Sequence, residues 1–254
     1  MKQGDFSELA KNYINRPAYS KLIIDSLLKH ISFKEDNFVV ADVGAGTGKF
    51  TKEIGELNCK IFAVEPNDAM RSEGVIYTKD FDNIIWSKGS GEDTKLASNF
   101  VNWVVMASSF HWTDPKKSLP EFSRILKKSG YFTIIYNTRD VQSSPLHQKI
   151  ELMIRQMVPN LQRVSSGSQN VKDWFKVLSE DNYFKDVVFM ECKHNEIMSK
   201  ERYLGAWESV NDIRAQAGEA RWGQIMDQIR NIVAEYDKID VPYKMRAWTA
   251  QKVD

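Results

Sequence analysis

The residues best suited to chemistry lie in Ala41-Asp42-Val43-Gly44-Ala45-Gly46-Thr47-Gly48-Lys49-Phe50, where three glycines follow an apolar run directly. Glycine serves where a chain turns sharply and where a ligand must touch the backbone. A helix opening behind such a turn offers unpaired N–H groups to a negatively charged group. The position after a first buried strand gives the turn its weight. A phosphate-binding loop would need Ser or Thr after its Gly-Lys pair, where Phe50 stands, and a further glycine where Val43 stands. A dinucleotide turn would place its third glycine at Lys49, but the third glycine is Gly48. The remaining ligand class is S-adenosylmethionine, which carries an ammonium and a carboxylate instead of phosphates. Asp42 suits that ammonium and would sit awkwardly beside a pyrophosphate.

A second group is His111-Trp112, just past the fourth apolar run, at the carboxyl edge where α/β sheets hold ligands. A histidine there can take a proton from a hydroxyl, with a reference pKa near ~6.5. The alternative is an aromatic pair packed to hold the loop. Four histidines (His30, His111, His147, His194) and two cysteines (Cys59, Cys192) show no metal-ligand spacing, so no metal is expected. The nucleophile elbow Gly-x-Ser-x-Gly of hydrolases is absent from the sequence.

Val39–Thr51 resembles the first motif of the class I S-adenosylmethionine-dependent methyltransferases, Asp-x-Gly-x-Gly-x-Gly. Phe62-Ala63-Val64-Glu65-Pro66-Asn67-Asp68-Ala69-Met70 resembles the second, and Gly89-Ser90-Gly91-Glu92 resembles the block at the adenine edge, with Gly91 in place of the usual Ala. The resemblance implies a donor site of Asp42, Gly44, Ala45, Gly46, Gly48, Glu65, Pro66, Met70, Ser90, Gly91, Glu92 and Ala107. In it Glu65 holds the ribose hydroxyls and Met70 packs on adenine, although a helix-face methionine also serves as core filler. S-adenosylhomocysteine would be the product.

Ala107–Trp112, Tyr136–Asp140, Val241–Lys244 and Tyr13…Arg16-Pro17…Tyr19 are similar to a small-molecule branch that includes trans-aconitate methyltransferases. This similarity implies acceptor contacts from Tyr13, Trp112, Asn137, Arg139 and Trp207, with His111 as general base. The alternatives for Asn137 and Arg139 are a loop hydrogen bond and a surface charge. The expected function is O-methylation of a small-molecule hydroxyl. Alternatives are carboxyl methylation of a small organic acid, a non-catalytic S-adenosylmethionine-binding protein, and a nicotinamide-dependent oxidoreductase on the same fold.

The elements that must position these residues follow from period and punctuation. Apolar runs at 38–43, 60–65, 83–86, 101–107 and 131–136 read as strands of a doubly wound α/β sheet. Helices are expected over much of the first 37 residues, with Arg16-Pro17 as a start signal, and from Asp114-Pro115 to Lys128, ended by Gly130. Residues 141–180 and 199–238 read as helical, interrupted by a loop at Ser165–Ser168. A strand is expected at 187–192, and 243–250 alternates like a half-exposed edge strand.

With the resemblance, these imply a Rossmann-like seven-stranded sheet with an antiparallel last strand. The expected organisation is one domain over 1–254. Its core would be about 33–140, 186–198 and 240–254, with a helical cover over about 1–32, 141–180 and 199–238.

Lys plus Arg is 35 against 34 for Asp plus Glu, a formal charge of +1. That balance argues against a basic nucleic-acid binder. No apolar run approaches the ~18 residues of a membrane span. Acids near the first residues speak against a signal peptide, so a cytoplasmic monomer or homodimer acting on a small-molecule acceptor is expected.

Overall fold

The computed structural model describes residues 7–34, 37–163 and 173–253. In chain order the elements are α1 (Lys21–His30), β1 (Val39–Val43), α2 (Lys49–Glu53), β2 (Lys60–Val64), α3 (Asp68–Tyr77), β3 (Ile84–Ser87) and β4 (Val101–Ala107). Then come α4 (Pro115–Ile125), β5 (Leu126–Arg139), α5 (Pro145–Met157), α6 (Trp174–Ser179) and β6 (Phe184–Ser199). The chain ends with α7 (Lys200–Glu208), α8 (Asn211–Ala217), α9 (Glu219–Ile232) and β7 (Lys238–Lys252). The loop expected at Ser165–Ser168 lies outside the described residues.

The chain divides into two compact units. A sheet unit comprises Ala18–Asn137, Val171–Cys192 and Met245–Asp254; a helical unit comprises Met1–Pro17, Thr138–Asn170 and Lys193–Lys244.

The sheet has seven strands in the order β3-β2-β1-β4-β5-β7-β6. β1 pairs in parallel with β2 and with β4, β2 with β3, and β4 with β5, while the last strands run antiparallel. This is the doubly wound, Rossmann-like arrangement expected. The order reverses beside β1, so the carboxyl ends of β1 and β4 flank the switch point where such sheets bind ligands.

Both faces of the central strands are covered, which is why their sequences are nearly continuous apolar runs. Val40, Ala41 and Val43 of β1 and Trp103, Val104 and Val105 of β4 are fully buried. The polar atoms inside are paired. The Trp103 indole N–H donates to Thr133 Oγ1 at 2.8 Å, and Thr133 donates to Thr249 Oγ1 at 2.9 Å. Leaving one of these groups unpaired would cost roughly 1–3 kcal/mol. In the helical unit a separate core gathers Ile150 and Ile154 of α5, Tyr203 and Trp207 of α7, and Trp222, Ile225 and Ile229 of α9.

Three expectations are corrected. Pro17 does not start a helix: α1 begins at Lys21 behind Ser20, and Arg16 is extended (φ −57°, ψ 153°), the conformation a following proline imposes. The helix turns Ile23, Ile24 and Leu27 inward and leaves Leu22 66% exposed.

Gly130 does not end a helix. α4 stops at Ile125 and β5 starts at Leu126, with a register shift against β4 between Val101 and Trp103. The extra residues of this irregularity include Ser129 in the left-handed region (φ 57°), which breaks the alternation expected of a strand.

β7 is not an edge strand. It lies between β5 and β6, and β6 is the edge. The polar half of its alternation is satisfied across the sheet rather than by water alone: Arg246 Nε donates to Glu191 Oε2 of β6 at 2.6 Å.

Candidate active site

Gly44, Gly46 and Gly48 have φ of 68°, 60° and 77°, a left-handed conformation that side chains disfavour. The turn is tied to the neighbouring strand, since the Gly44 and Ala45 N–H groups donate to the Val64 carbonyl at 2.8 and 3.1 Å. At Gly44 a Cβ would lie 2.7 Å from Ser109 Cβ, so the loop after β4 closes directly on the glycine turn. Ser109 Oγ also donates to the Val43 carbonyl at 3.1 Å. Gly46 differs: a Cβ there would meet only Met70 Cε, at 3.3 Å. The approach to its backbone is guarded by a flexible thioether.

Asp42 is fully buried at the end of β1. Its Oδ2 accepts from Thr51 Oγ1 at 2.6 Å, and its Oδ1 has no hydrogen-bond partner among the described residues. Burial pushes its carboxyl up to about 7, against the pull of the Thr51 bond and with help from the charge of Glu65. A buried carboxylate oxygen without a donor is costly, and a cationic ligand would relieve it.

Glu65 follows β2 and is 7% exposed. Its Oε2 accepts the Gly46 N–H at 2.9 Å and its Oε1 the Asn67 N–H at 2.8 Å. Burial raises its pKa, and these two backbone bonds counter the rise. Both oxygens are thus oriented while keeping lone pairs for a pair of hydroxyls. Asn67 then caps α3, accepting from Met70 N at 3.0 Å, which holds Met70 buried beside Gly46. Pro66, between Glu65 and that cap, is exposed.

The Ser90–Glu92 loop after β3 is held from two sides. Ser90 Oγ accepts from the N–H groups of Glu92 and Asp93 at 3.3 Å, and Glu92 Oε1 accepts the Asp114 N–H at 2.9 Å. A Cβ on Gly91 would lie 2.6 Å from Thr113 Cγ2, so only glycine lets this loop pass the start of α4. Ala107 ends β4, and Ser108 turns the chain with φ 58°. Fully buried Phe110 then pins a 3-10 turn, Phe110–Trp112, which carries His111. The imidazole lies 4.6 Å from the Trp112 ring and 5.6 Å from that of Tyr136. Trp112 is exposed, and Asn137 Nδ2 donates to the Ala18 carbonyl at 2.7 Å.

Residues 41–134 match the family model described as a methyltransferase domain. An uncharacterized methyltransferase of Mycobacterium bovis is 31% identical over 150 residues, 59% of this chain and 58% of that protein. The match therefore spans little more than half of that relative's length. An uncharacterized methyltransferase of Schizosaccharomyces pombe is 25% identical over 253 residues, 97% of this chain and 96% of that protein. A solved structure from Anaeromyxobacter dehalogenans, assigned as a type II methyltransferase, shares the fold with a TM-score of 0.66 at 16% identity. It covers 93% of this chain and 97% of that one. Residues 41–134 thus form a methyltransferase domain, and the relatives and the fold neighbour that the chain resembles are methyltransferases.

The three motifs expected to bind the donor fall in the sheet unit, and the fold gathers Asp42, the three glycines, Glu65 and Met70 around one strand-end turn. The other expected acceptor residues lie in the helical unit. There the Arg139 guanidinium stands 4.0 Å above the Trp207 ring and 5.6 Å from that of Tyr203, and Arg16 stands 4.7 Å over Tyr13. Sequence reasoning missed Ser109 and Thr51, which lock the glycine turn and Asp42, because nothing local announces either contact. It also missed Tyr203 beside Trp207, although their i, i+4 spacing on α7 was available as a signal.

Among the described residues no group of three or more His, Cys, Asp or Glu could hold a metal ion. No helix among them is long and apolar enough to cross a membrane.

Proposed function

We propose that this methyltransferase uses S-adenosylmethionine to methylate an oxygen of a small-molecule hydroxyl, with His111 as general base. The observation that carries the donor assignment is the glycine turn locked to Glu65, beside a buried Asp42 whose Oδ1 lacks a donor. These residues fit the ligand. Asp42 would face the ammonium, Glu65 the ribose hydroxyls, and Met70 the adenine, with Ser90–Glu92 at its edge. When bound, S-adenosylmethionine supplies an activated methyl group on a sulfonium.

The remaining work falls to the chain itself. A neutral hydroxyl is a poor nucleophile, so its proton must leave as the new bond forms. His111 is the group for this, held on a turn that Phe110 anchors in the core, and a ring nitrogen would take the proton. Trp112 and Tyr136 flank the imidazole and limit its rotation. Charge disperses rather than develops in such a transfer, so holding the acceptor in line contributes more than electrostatic stabilisation. The two units would act together as one methyltransferase domain.

The test is a methyl-transfer screen of purified protein against polar metabolites, sugar derivatives and small acids, with product mass as readout, run beside titrations with S-adenosylhomocysteine and with NAD. Donor binding with turnover on a hydroxyl supports the reading. Turnover on carboxylates alone would remove the base. Binding without turnover would leave a non-catalytic binding protein, and binding of NAD alone would overturn the donor assignment.

A further inference from the structure

Most arginines of the helical unit pair with carboxylates. Arg163 pairs with Glu151 and Asp212, Arg202 with Glu196, and Arg214 with Glu219, at 2.5 to 3.2 Å. Arg139 and Arg16 pair with no carboxylate among the described residues. Arg139 stacks on Trp207 and donates to the Tyr243 hydroxyl. Arg16 donates to Ser209, through Nε to Oγ at 2.5 Å and through Nη2 to the carbonyl at 2.7 Å. Both guanidinium charges act on the same buried Tyr243 hydroxyl, whose pKa burial raises and these two charges lower. Glu196 also reaches that hydroxyl electrostatically, but it is already engaged by Arg202.

Glu196, held by Arg202, is the carboxylate that reaches Tyr243 among the described residues, and the other neighbours named here are uncharged. Tyr203, Trp207 and Tyr243 are buried aromatic residues, and His147 is 2% exposed. His147 Nδ1 bonds with Ser144 Oγ at 2.7 Å, and its Nε2 has no partner among the described residues. Burial foremost, and the Arg139 charge after it, push the His147 pKa down to about 3, so the ring is neutral. Two cations against an aromatic, partly dehydrated wall leave positive charge uncompensated, a condition that favours binding an anion over remaining empty. The guanidinium fork of Arg139, braced by stacking on Trp207, matches the two oxygens of a carboxylate or a phosphate.

We propose that the helical unit carries an oxyanion-binding site centred on Arg139, with Arg16 and Tyr243 beside it. A small-molecule acceptor bearing a carboxylate or phosphate group would bind there. The binding site stands on the helical unit alone; its role in acceptor choice rests on the methyltransferase reading.

Isothermal titration of the full chain with malonate, inorganic phosphate and uncharged malonamide tests it. Malonate or phosphate is expected to bind and malonamide is not. A preference for malonate assigns a carboxylate-bearing acceptor, and a preference for phosphate a phosphorylated one. R139Q is expected to weaken the oxyanion at least ~tenfold, the loss of one charge-assisted bidentate contact. S-adenosylhomocysteine titrations of the same protein should be unchanged. If R139Q does not fold, R139K keeps the charge but loses the fork, and it should weaken malonate several-fold.

Malonamide binding as well as malonate does, no binding of either oxyanion, or unchanged malonate affinity in R139K would each overturn the proposal. Wild-type protein that binds malonate but not S-adenosylhomocysteine would sink the methyltransferase reading and leave this site standing. The reverse result would sink this site alone.

Discussion

Glu65 Oε2 accepts the backbone N–H of Gly46 at 2.9 Å, so the acid after the second strand and the middle of the glycine turn form one unit. A side chain 19 residues away thereby fixes the backbone that a ligand must approach. If Glu65 serves the donor as well as the turn, as proposed, its loss should register in donor affinity before it registers in the fold.

Glu65→Ala removes the carboxylate proposed to hold the ribose hydroxyls and is expected to weaken S-adenosylhomocysteine at least ~tenfold, the value of a charge-assisted bidentate contact. Gly46→Val should act in the same direction, since valine is strained at φ 60° and its side chain would press on Met70. Calorimetric titration of each variant, beside its circular dichroism spectrum, checks this. A Glu65→Ala isotherm matching wild type would remove the residue from the donor site.

Asp42 predicts a pH-dependent donor affinity. Its carboxyl titrates near about 7, and an ammonium partner favours the ionised form. Binding below pH 7 must therefore expel a proton. Affinity for S-adenosylhomocysteine should rise by up to ~tenfold between pH 6 and 8, the limit for one linked proton. Asp42→Asn should bind weakly and show no such rise. A flat wild-type profile would contradict the assignment.

For His111→Ala, kcat is expected to drop by ~10²–10⁴, the usual contribution of a general base, with donor affinity almost unmoved. Should the variant keep near-full kcat, the proton must leave by another route, and an already ionised acceptor becomes the better reading.

His147 makes the fold acid-sensitive. Its pKa in the fold is about 3, below the 6.5 of the unfolded chain, so between these values the unfolded chain binds the extra proton. Stability from this residue is complete above pH 6.5 and lost as pH falls toward 3, by up to about 1.4 kcal/mol per unit. Asp42 acts in the opposite sense. Its folded pKa lies above the unfolded value of 3.8, so its contribution favours the fold at low pH and fades as pH rises to about 7. The two are separable only by comparing variants. In urea melts at pH 5 and 7, His147→Phe should lose less stability on acidification than wild type. Equal losses would show that His147 is not held neutral.

The sequence by itself determined whatever rests on local spacing. Each apolar run expected as a strand in the first 140 residues became one, and for the central strands the reason is burial on both faces, which needs apolar side chains at nearly every position. The glycines of the turn took the left-handed conformation that their spacing implied, because each glycine answers a backbone requirement of its own segment. What failed, or could not be read, depends on partners distant in sequence.

The placement of β7 between β5 and β6 follows from pairing across the sheet, with Arg246 meeting Glu191. An alternating strand looks the same whether its polar face meets water or a neighbouring strand's charge. The closure of Ser109 on Gly44 and the helix start at Lys21 instead of Pro17 are likewise tertiary outcomes. So is the condition of Arg139. As a letter in the sequence it equals Arg163 or Arg202, and only the packed structure leaves it stacked on Trp207 and paired with no carboxylate among the described residues. Charge compensation depends on what converges in space, and spacing along the chain does not encode that.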